Sequence, residues 1–278
     1  MDDSMTLREA LIEGSASLLG IAAEPRRDAE LLLRRVLCKD RAWLLTHPDE
    51  TLTPAQAGQY EQWLTRRAHH EPIQYITGEQ EFYGLSFHVT PAVLIPRPET
   101  EHLVEAALAR IPGNKPSRII DVGTGSGAIA IALAHMRPQA KITALDLSPA
   151  ALAIARENAE RLNTPVRFLE SDLLQAVSGE TFDLIASNPP YVPESEVLEP
   201  QVRDYEPASA LYAGVHGLDI YQRLIPQARA ALNPGGWLLM EIGHGQREAL
   251  AALLQDWPEV SFVDDLQGIP RVACARLP

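Results

Sequence analysis

From Leu7 onward apolar residues recur at helical spacing: Leu7, Leu11, Leu18 and Leu19, then Ala29, Leu32, Leu33, Val36 and Leu37. Such a rhythm lays an apolar stripe along one face of a helix. Thr53-Pro54 is a start signal, with Thr53 as N-cap and Pro54 at the first helical position. The segment it opens runs through Tyr60, Trp63 and Leu64 towards Arg67. Residues 5–70 therefore read as a small helical bundle.

The pattern then changes. Glu81-Phe82-Tyr83-Gly84-Leu85-Ser86-Phe87-His88-Val89 sets aromatic and β-branched residues around a glycine, which predicts a hairpin. Pro91, Pro96 and Pro98 follow, so Ala92–Arg97 is expected to be extended, with a helix beginning near Pro98. From Ser117 the text alternates between the two periods. Strands are predicted at Arg118–Val122, Lys141–Leu145, Val166–Leu169, Phe182–Ser187, Trp237–Ile242, Val260–Val263 and Val272–Ala275. Helices are predicted at Ala128–His135, Pro149–Leu162, Leu218–Leu232 (kinked by Pro226) and Arg247–Gln255. Alternation of this kind implies the α/β class, with a parallel sheet covered on both faces. The division expected is residues 1–72 for the helical domain, 73–92 for a β-hairpin linker and 93–278 for the sheet domain. The long connection from Val192 to about Val215 is expected to be a substrate-binding lid.

Composition narrows the classes. No apolar run approaches the ~18 residues of a membrane span. The acidic start Met1-Asp2-Asp3-Ser4 is unlike a secretory signal, so a cytoplasmic protein without membrane association is expected. Net charge is −13, and residues 1–85 hold 9 basic against 14 acidic side chains, a field that repels duplex DNA. Arg26-Arg27, Arg34-Arg35 and Arg66-Arg67 are read as parts of solvated faces or as one local patch. Cys38 and Cys274 are read as buried structural thiols. His69-His70 fall where a helix ends and are read as complementing its dipole; no metal is expected.

Ile119-Ile120-Asp121-Val122-Gly123-Thr124-Gly125-Ser126-Gly127-Ala128 is an apolar strand, a glycine turn and a helix start. Glycines allow close approach to a ligand, and the helix N-terminus offers unpaired N–H donors. About 20 residues on, Asp146 ends the next strand, where a carboxylate accepts from ribose hydroxyls. The pairing implies adenosine binding, although Gly123, Gly125 and Ala128 also fit a dinucleotide fingerprint and Asp146 alone fits a helix cap before Ser148-Pro149. After the third strand, Asp172 is a candidate for the adenine amine and Leu173 for covering the ring, with a loop cap and a core leucine as the plain reading of the pair.

Ser187-Asn188-Pro189-Pro190-Tyr191 directly follows a predicted strand. Two prolines stiffen the backbone and remove N–H donors. Asn188 offers a side-chain oxygen and Pro189 a carbonyl, two acceptors suited to a substrate NH2 group. Tyr191 offers a ring face for stacking on a planar amide or base. Beside an adenosine loop, the elbow implies methyl transfer from S-adenosyl-L-methionine to a planar amide nitrogen. Adenine-N6 methylation of nucleic acid uses similar geometry, but needs base flipping and a basic backbone grip. A dehydrogenase and a non-catalytic adaptor remain as further readings.

At these residues the chain resembles the HemK/PrmC family, the peptide-chain release factor glutamine methyltransferases. Glu71-Pro72-Ile73 with Thr77-Gly78, Ile95-Pro96-Arg97-Pro98-Glu99-Thr100-Glu101, the glycine loop, Asn188–Tyr191 and Glu241-Ile242-Gly243 carry the resemblance over nearly the whole chain. It implies a seven-stranded Rossmann-like class I methyltransferase sheet behind a substrate-docking helical domain. It implies transfer to the glutamine of the Gly-Gly-Gln loop of bacterial class 1 release factors, without direct nucleic-acid binding. Cofactor contacts are implied for Gly123, Thr124, Gly125, Ser126, Gly127, Asp146, Asp172, Leu173 and Asn188. Asn188, Pro189, Pro190 and Tyr191 are implied to hold the substrate, with Asn188, Pro189 and Tyr191 as the catalytic set. Leu173 departs from the family, whose members often carry an aromatic residue there.

Overall fold

The computed structural model describes residues 5–113 and 116–278, so the acidic start Met1–Ser4 lies outside it. Two compact units emerge: residues 1–78 with 198–205, and residues 79–197 with 206–278.

The first unit is helical, with α1 (Leu7–Ser17), α2 (Pro25–Leu37), α3 (Arg41–Thr46), α4 (Pro54–Ala68) and α5 (Ile73–Thr77). Reciprocal capping boxes start α1 at Thr6 with Glu9, and α4 at Thr53 with Gln56, satisfying N–H groups that the helix leaves unpaired. Leu7, Ala10, Leu32, Leu33, Leu44, Leu52, Tyr60 and Ile76 form the core. Burying each of the leucines stabilises the unit by about 1.5–3 kcal/mol relative to exposure. Two of the paired arginines are not a solvated face. Buried Arg67 bonds Asp28 on α2 at 2.7 Å, and Arg66 grips Glu71 through two nitrogens. They are engaged by carboxylates inside the bundle, so they add little to a basic patch. His69 caps α4, its Nδ1 donating to the Thr65 carbonyl at 2.7 Å. Cys38 corrects the expectation of two buried thiols. It is exposed in a left-handed C-cap at the end of α2, while Cys274 is buried in the sheet.

The second unit opens with the hairpin β1 (Glu79–Phe82) and β2 (Leu85–His88), which turns at Tyr83-Gly84 with φ of 52° and 74°. After a 3-10 turn at Pro98–Thr100 come α6 (Glu101–Arg110), β3 (Arg118–Val122), α7 (Ala128–Met136), β4 (Lys141–Asp146), α8 (Pro149–Arg161), β5 (Arg167–Glu170) and β6 (Phe182–Ser187). The chain continues as α9 (Pro200–Arg203), which lies in the helical unit's segment, then α10 (Asp219–Ala231), β7 (Leu232–Glu241), α11 (Arg247–Leu253), β8 (Glu259–Asp264) and β9 (Pro270–Arg276). The sheet order is β5-β4-β3-β6-β7-β9-β8. Only β9 breaks the expected parallel run, lying antiparallel to both neighbours. Periodicity reports which face a side chain takes, not the direction of the strand, so this reversal is invisible in the pattern. Helix α10 runs unbroken through Pro226. Strand β7 begins earlier than expected, taking in Asn233-Pro234-Gly235-Gly236, with a register shift opposite Phe182 and Leu184.

Both faces of the sheet are covered, which explains the near-continuous apolar strands. Ile119 and Leu239 pack with the hairpin, α6, α7 and α8, while Ile120, Leu238 and Met240 pack with α10 and α11. Fully buried Asn158 on α8 stitches the hairpin to the unit: it bonds the backbone of His88 in both directions and donates to the Ser126 carbonyl at 2.9 Å. No helix among the described residues is long and apolar enough to cross a membrane.

Gly127, the N-cap of α7, has φ +84°, and an added Cβ there meets Ile131 Cδ1 at 2.8 Å and Ala155 Cβ at 3.2 Å. Gly127→Ala is therefore expected to cost about 1–3 kcal/mol, from backbone strain and forced repacking together. A thermal melt of the cofactor-free protein checks this, and an unchanged midpoint contradicts it.

Candidate active site

Three strand ends form the site. Val122 on β3 pairs in register with Ser187 on β6, and the Ser187 hydroxyl donates to the Val122 carbonyl at 2.7 Å. On the other side, the N–H groups of Gly123 and Thr124 both donate to Leu145 O of β4 at 2.8 Å. The glycine turn is thus strapped to one neighbouring strand and the Asn188 elbow leaves the other. Between them opens a cleft of about 430 Å3, walled by the second unit alone.

Gly123, Thr124, Gly125, Ser126, Asp146, Asp172, Leu173, Asn188, Pro189 and Pro190 line this cleft; Gly127 and Tyr191 do not. Gly127 works behind the wall, as its packing explains. Asp146 Oδ2 accepts from Gly125 N and Oδ1 from Ser148 N, each at 2.8 Å. It therefore braces the loop and the start of α8 at once, and burial raises its pKa. The Leu147 N–H also faces this carboxylate, and an ionised carboxylate has about four lone-pair sites, so it keeps acceptor capacity for a ribose hydroxyl. Asp172 reaches the cleft with its carboxylate held by Arg223 of α10 at 2.6 Å. Neighbouring Leu173 takes a left-handed φ of 52°, its carbonyl held by the Ser171 hydroxyl at 2.7 Å.

The room fits an adenosine-bearing cofactor. Its volume lies within the ~300–1,000 Å3 usual for ligand clefts. Gly123 and Gly125 have φ of +76° and +55°, and an added Cβ at either meets no atom within 4 Å. Both line the cleft, so their bare backbone faces open space. Behind them Asp121 is wholly buried and accepts from the Thr124 hydroxyl at 2.6 Å, and burial pushes its carboxyl up to about 7.

At the elbow, Asn188 Nδ2 donates to Thr100 Oγ1 at 3.2 Å. Tyr191 differs from its sequence expectation: it is turned away from the cleft, its hydroxyl donating to Glu241 Oε1 at 3.4 Å. Its carbonyl accepts from Gln246 Nε2 at 3.0 Å, and the same side chain accepts from Gly243 N. Burial, with Glu241 next, raises the Tyr191 pKa. Burial likewise pushes Glu241 up to about 7, a rise tempered by the Thr100 and Tyr191 hydroxyls and by Arg271.

Arg97 and Thr100, from the 95–101 motif, line the cleft together with Arg223, and Glu206 and the motif residue Glu241 support it from behind; of these, Arg223 and Glu206 are not singled out by sequence. Glu206, buried, accepts from Ile95 N at 3.1 Å and is ion-paired with Arg97. The usable signal is an acid inside an apolar run, as in Leu239-Met240-Glu241-Ile242. The Val192–Val215 connection is less structureless than expected: it holds α9, a 3-10 turn at Ala208–Ala210 and a bridge of Val192 to Tyr212, and lends Pro207, Ser209 and Ala210 to the wall.

Known proteins match this arrangement at two levels. Solved structures give the fold: a Thermus thermophilus 16S rRNA N2 G1207 methyltransferase in complex with AdoMet and guanosine is similar at TM-score 0.54 and 21% identity, over 72% of this chain and 50% of that one. A methyltransferase from Pyrococcus furiosus is similar at TM-score 0.52 and 21% identity, over 70% and 90%. Sequence gives more. The PrmC N-terminal domain family matches residues 9–78, and the methyltransferase small domain family matches 100–203. The release factor glutamine methyltransferase of Koribacter versatilis is 49% identical over 99% of each chain. That of Escherichia coli is 43% identical over 97% of each. At these identities over nearly the full length of both chains, the chain belongs to the release factor glutamine methyltransferases, enzymes whose cofactor is S-adenosyl-L-methionine.

Proposed function

We propose that the protein transfers a methyl group from S-adenosyl-L-methionine to the side-chain amide nitrogen, N5, of the glutamine in the Gly-Gly-Gln motif of bacterial class 1 release factors. The observation that carries this reading is the Asn188 amide, whose N–H end is engaged by Thr100 while the residue lines a cleft shared with the glycine turn.

Gly123 to Ser126 and Asp146 hold the cofactor, Gly123 and Gly125 by bare backbone and the carboxylate by its spare lone pairs, while Gly127 sets the turn from behind. When bound, the cofactor supplies a methyl carbon made electrophilic by its sulfonium. Asn188 Oδ1 and the Pro189 carbonyl accept the two N–H hydrogens of the substrate carboxamide, and so hold its nitrogen in line with that carbon. Pro190 keeps the turn stiff and donor-free. Tyr191, turned towards Glu241 and held at its carbonyl by Gln246, braces the elbow from behind rather than stacking on the amide. Asp172, with Leu173, lines the cleft, where its pairing to Arg223 leaves a fixed acceptor for an adenine amine.

An amide nitrogen is a poor nucleophile, because its lone pair is shared with the carbonyl. Orientation alone supplies roughly 7–11 kcal/mol against that barrier. Carbonyl acceptors fixed beforehand add to it by favouring the positive charge that grows on nitrogen. Once methylated, the nitrogen is acidic and sheds its proton to solvent, so no strongly basic side chain is required. The N-terminal helical unit adds nothing to the cleft wall, which leaves it free to serve as the docking platform for the release factor.

Incubation with labelled cofactor, followed by mass spectrometry, should map one methyl group to the Gly-Gly-Gln glutamine of purified release factor. Labelling of DNA or RNA instead contradicts the proposal. Asn188→Ala is expected to lower kcat by about a hundredfold or more while keeping cofactor affinity. Asp146→Ala should weaken cofactor binding about tenfold or more, read by calorimetry.

A further inference from the structure

An asparagine side chain has nearly the same shape whichever way its amide faces, but the two orientations are chemical opposites. One presents an acceptor oxygen to the cleft and the other an NH2 group. Facing a substrate carboxamide, the second sets donor against donor. Methyl transfer at Asn188 therefore needs something that chooses between them, and neither the stiff Pro189-Pro190 backbone nor the packing of the side chain makes that choice.

We propose that Thr100 makes it: its hydroxyl takes an N–H of the Asn188 amide and so fixes the oxygen of that amide towards the substrate. Thr100 is 4% exposed, at the end of the 3-10 turn preceding α6, and its Oγ1 lies 3.2 Å from Asn188 Nδ2. A hydroxyl is both donor and acceptor, so on its own it would satisfy either orientation of the amide. Glu241 removes that freedom. Its carboxyl group is 2% exposed and faces Thr100; Oε1 already accepts from the Tyr191 hydroxyl, and Oε2 has no hydrogen-bond partner among the described residues. In its ionised form the carboxylate has only the Tyr191 hydroxyl as a donor, and it draws the hydroxyl hydrogen of Thr100 to itself, which turns the threonine lone pairs to the asparagine. The polarity then runs one way, from the Asn188 N–H through Thr100 to Glu241, with Tyr191 donating to Glu241 from the other side. Thr100 is a positioning residue, acting on the substrate only through Asn188.

This inference rests on the proposed amide methylation, and the test separates the two. Thr100→Val keeps the shape and removes the hydroxyl; Thr100→Ser keeps the hydroxyl. Full-length variants are compared for kcat, for KM towards release factor and for cofactor affinity by calorimetry, alone and combined with Asn188→Ala. Thr100→Val is expected to lose roughly ten- to a hundredfold in kcat, with cofactor affinity held within about twofold, and Thr100→Ser to recover most of the rate. In the Asn188→Ala background, Thr100→Val should cost nothing further, because the group it positions is gone. A near-normal kcat for Thr100→Val beside a crippled Asn188→Ala overturns the positioning role and leaves the methylation reading intact. A parallel loss of cofactor affinity, or losses that multiply in the double variant, also overturns it. A near-normal Asn188→Ala overturns the methylation reading itself.

Discussion

The parallel pairing of β3 with β6 is the constraint on which the site depends. Partner strands lie about 4.8 Å apart, so the register of Val122 with Ser187 brings the glycine turn and the Asn188 elbow out side by side. A slip of one residue would turn every side chain of the strand to the opposite face and move the elbow off its neighbour. Two buried apolar faces forbid that slip, since Ile119 belongs to one core and Ile120 to the other. The chemistry therefore inherits its precision from hydrophobic packing some distance away.

Two acids are buried near the C-terminal ends of β3 and β7, each behind one motif. Asp121 fastens Thr124 of the glycine turn, and Glu241 stands behind Thr100 and Tyr191 at the elbow. Removing a carboxyl from water is costly, and burial holds both near neutral titration, at about 7. Loops held only by their own backbone would fluctuate. A buried polar anchor makes one arrangement much better than its neighbours, at some expense in stability.

The order of elements and most of the cleft wall are legible in the sequence because they rest on local signals. Apolar runs mark strands buried on both faces, glycines mark a bare turn, and Asn-Pro-Pro marks a stiff one. Arg118–Val122 and Phe182–Ser187 fall where the pattern puts them for that reason. Thr100 is not legible as a partner of Asn188, since 88 residues separate them and a threonine before a helix is ordinary. Tyr191 misleads in the other direction. An aromatic next to a polar elbow suggests stacking, but the sequence cannot reveal that Glu241 waits behind it and draws its hydroxyl inward. The antiparallel β9 is hidden for a similar reason, since direction follows from connections and not from side-chain alternation.

The helical unit is not a separate bead at the front of the chain. Residues 198–205 leave the sheet unit between β6 and α10 and belong to the helical one, where the Tyr205 hydroxyl donates to the His69 carbonyl at 2.7 Å. Deleting the chain up to Gly78 would therefore strand α9 without its hosts, immediately upstream of Pro207, Ser209 and Ala210 in the cleft wall. Evolutionary swapping of such a front end, easy for tandem modules, would here require exchanging two distant pieces of gene at once.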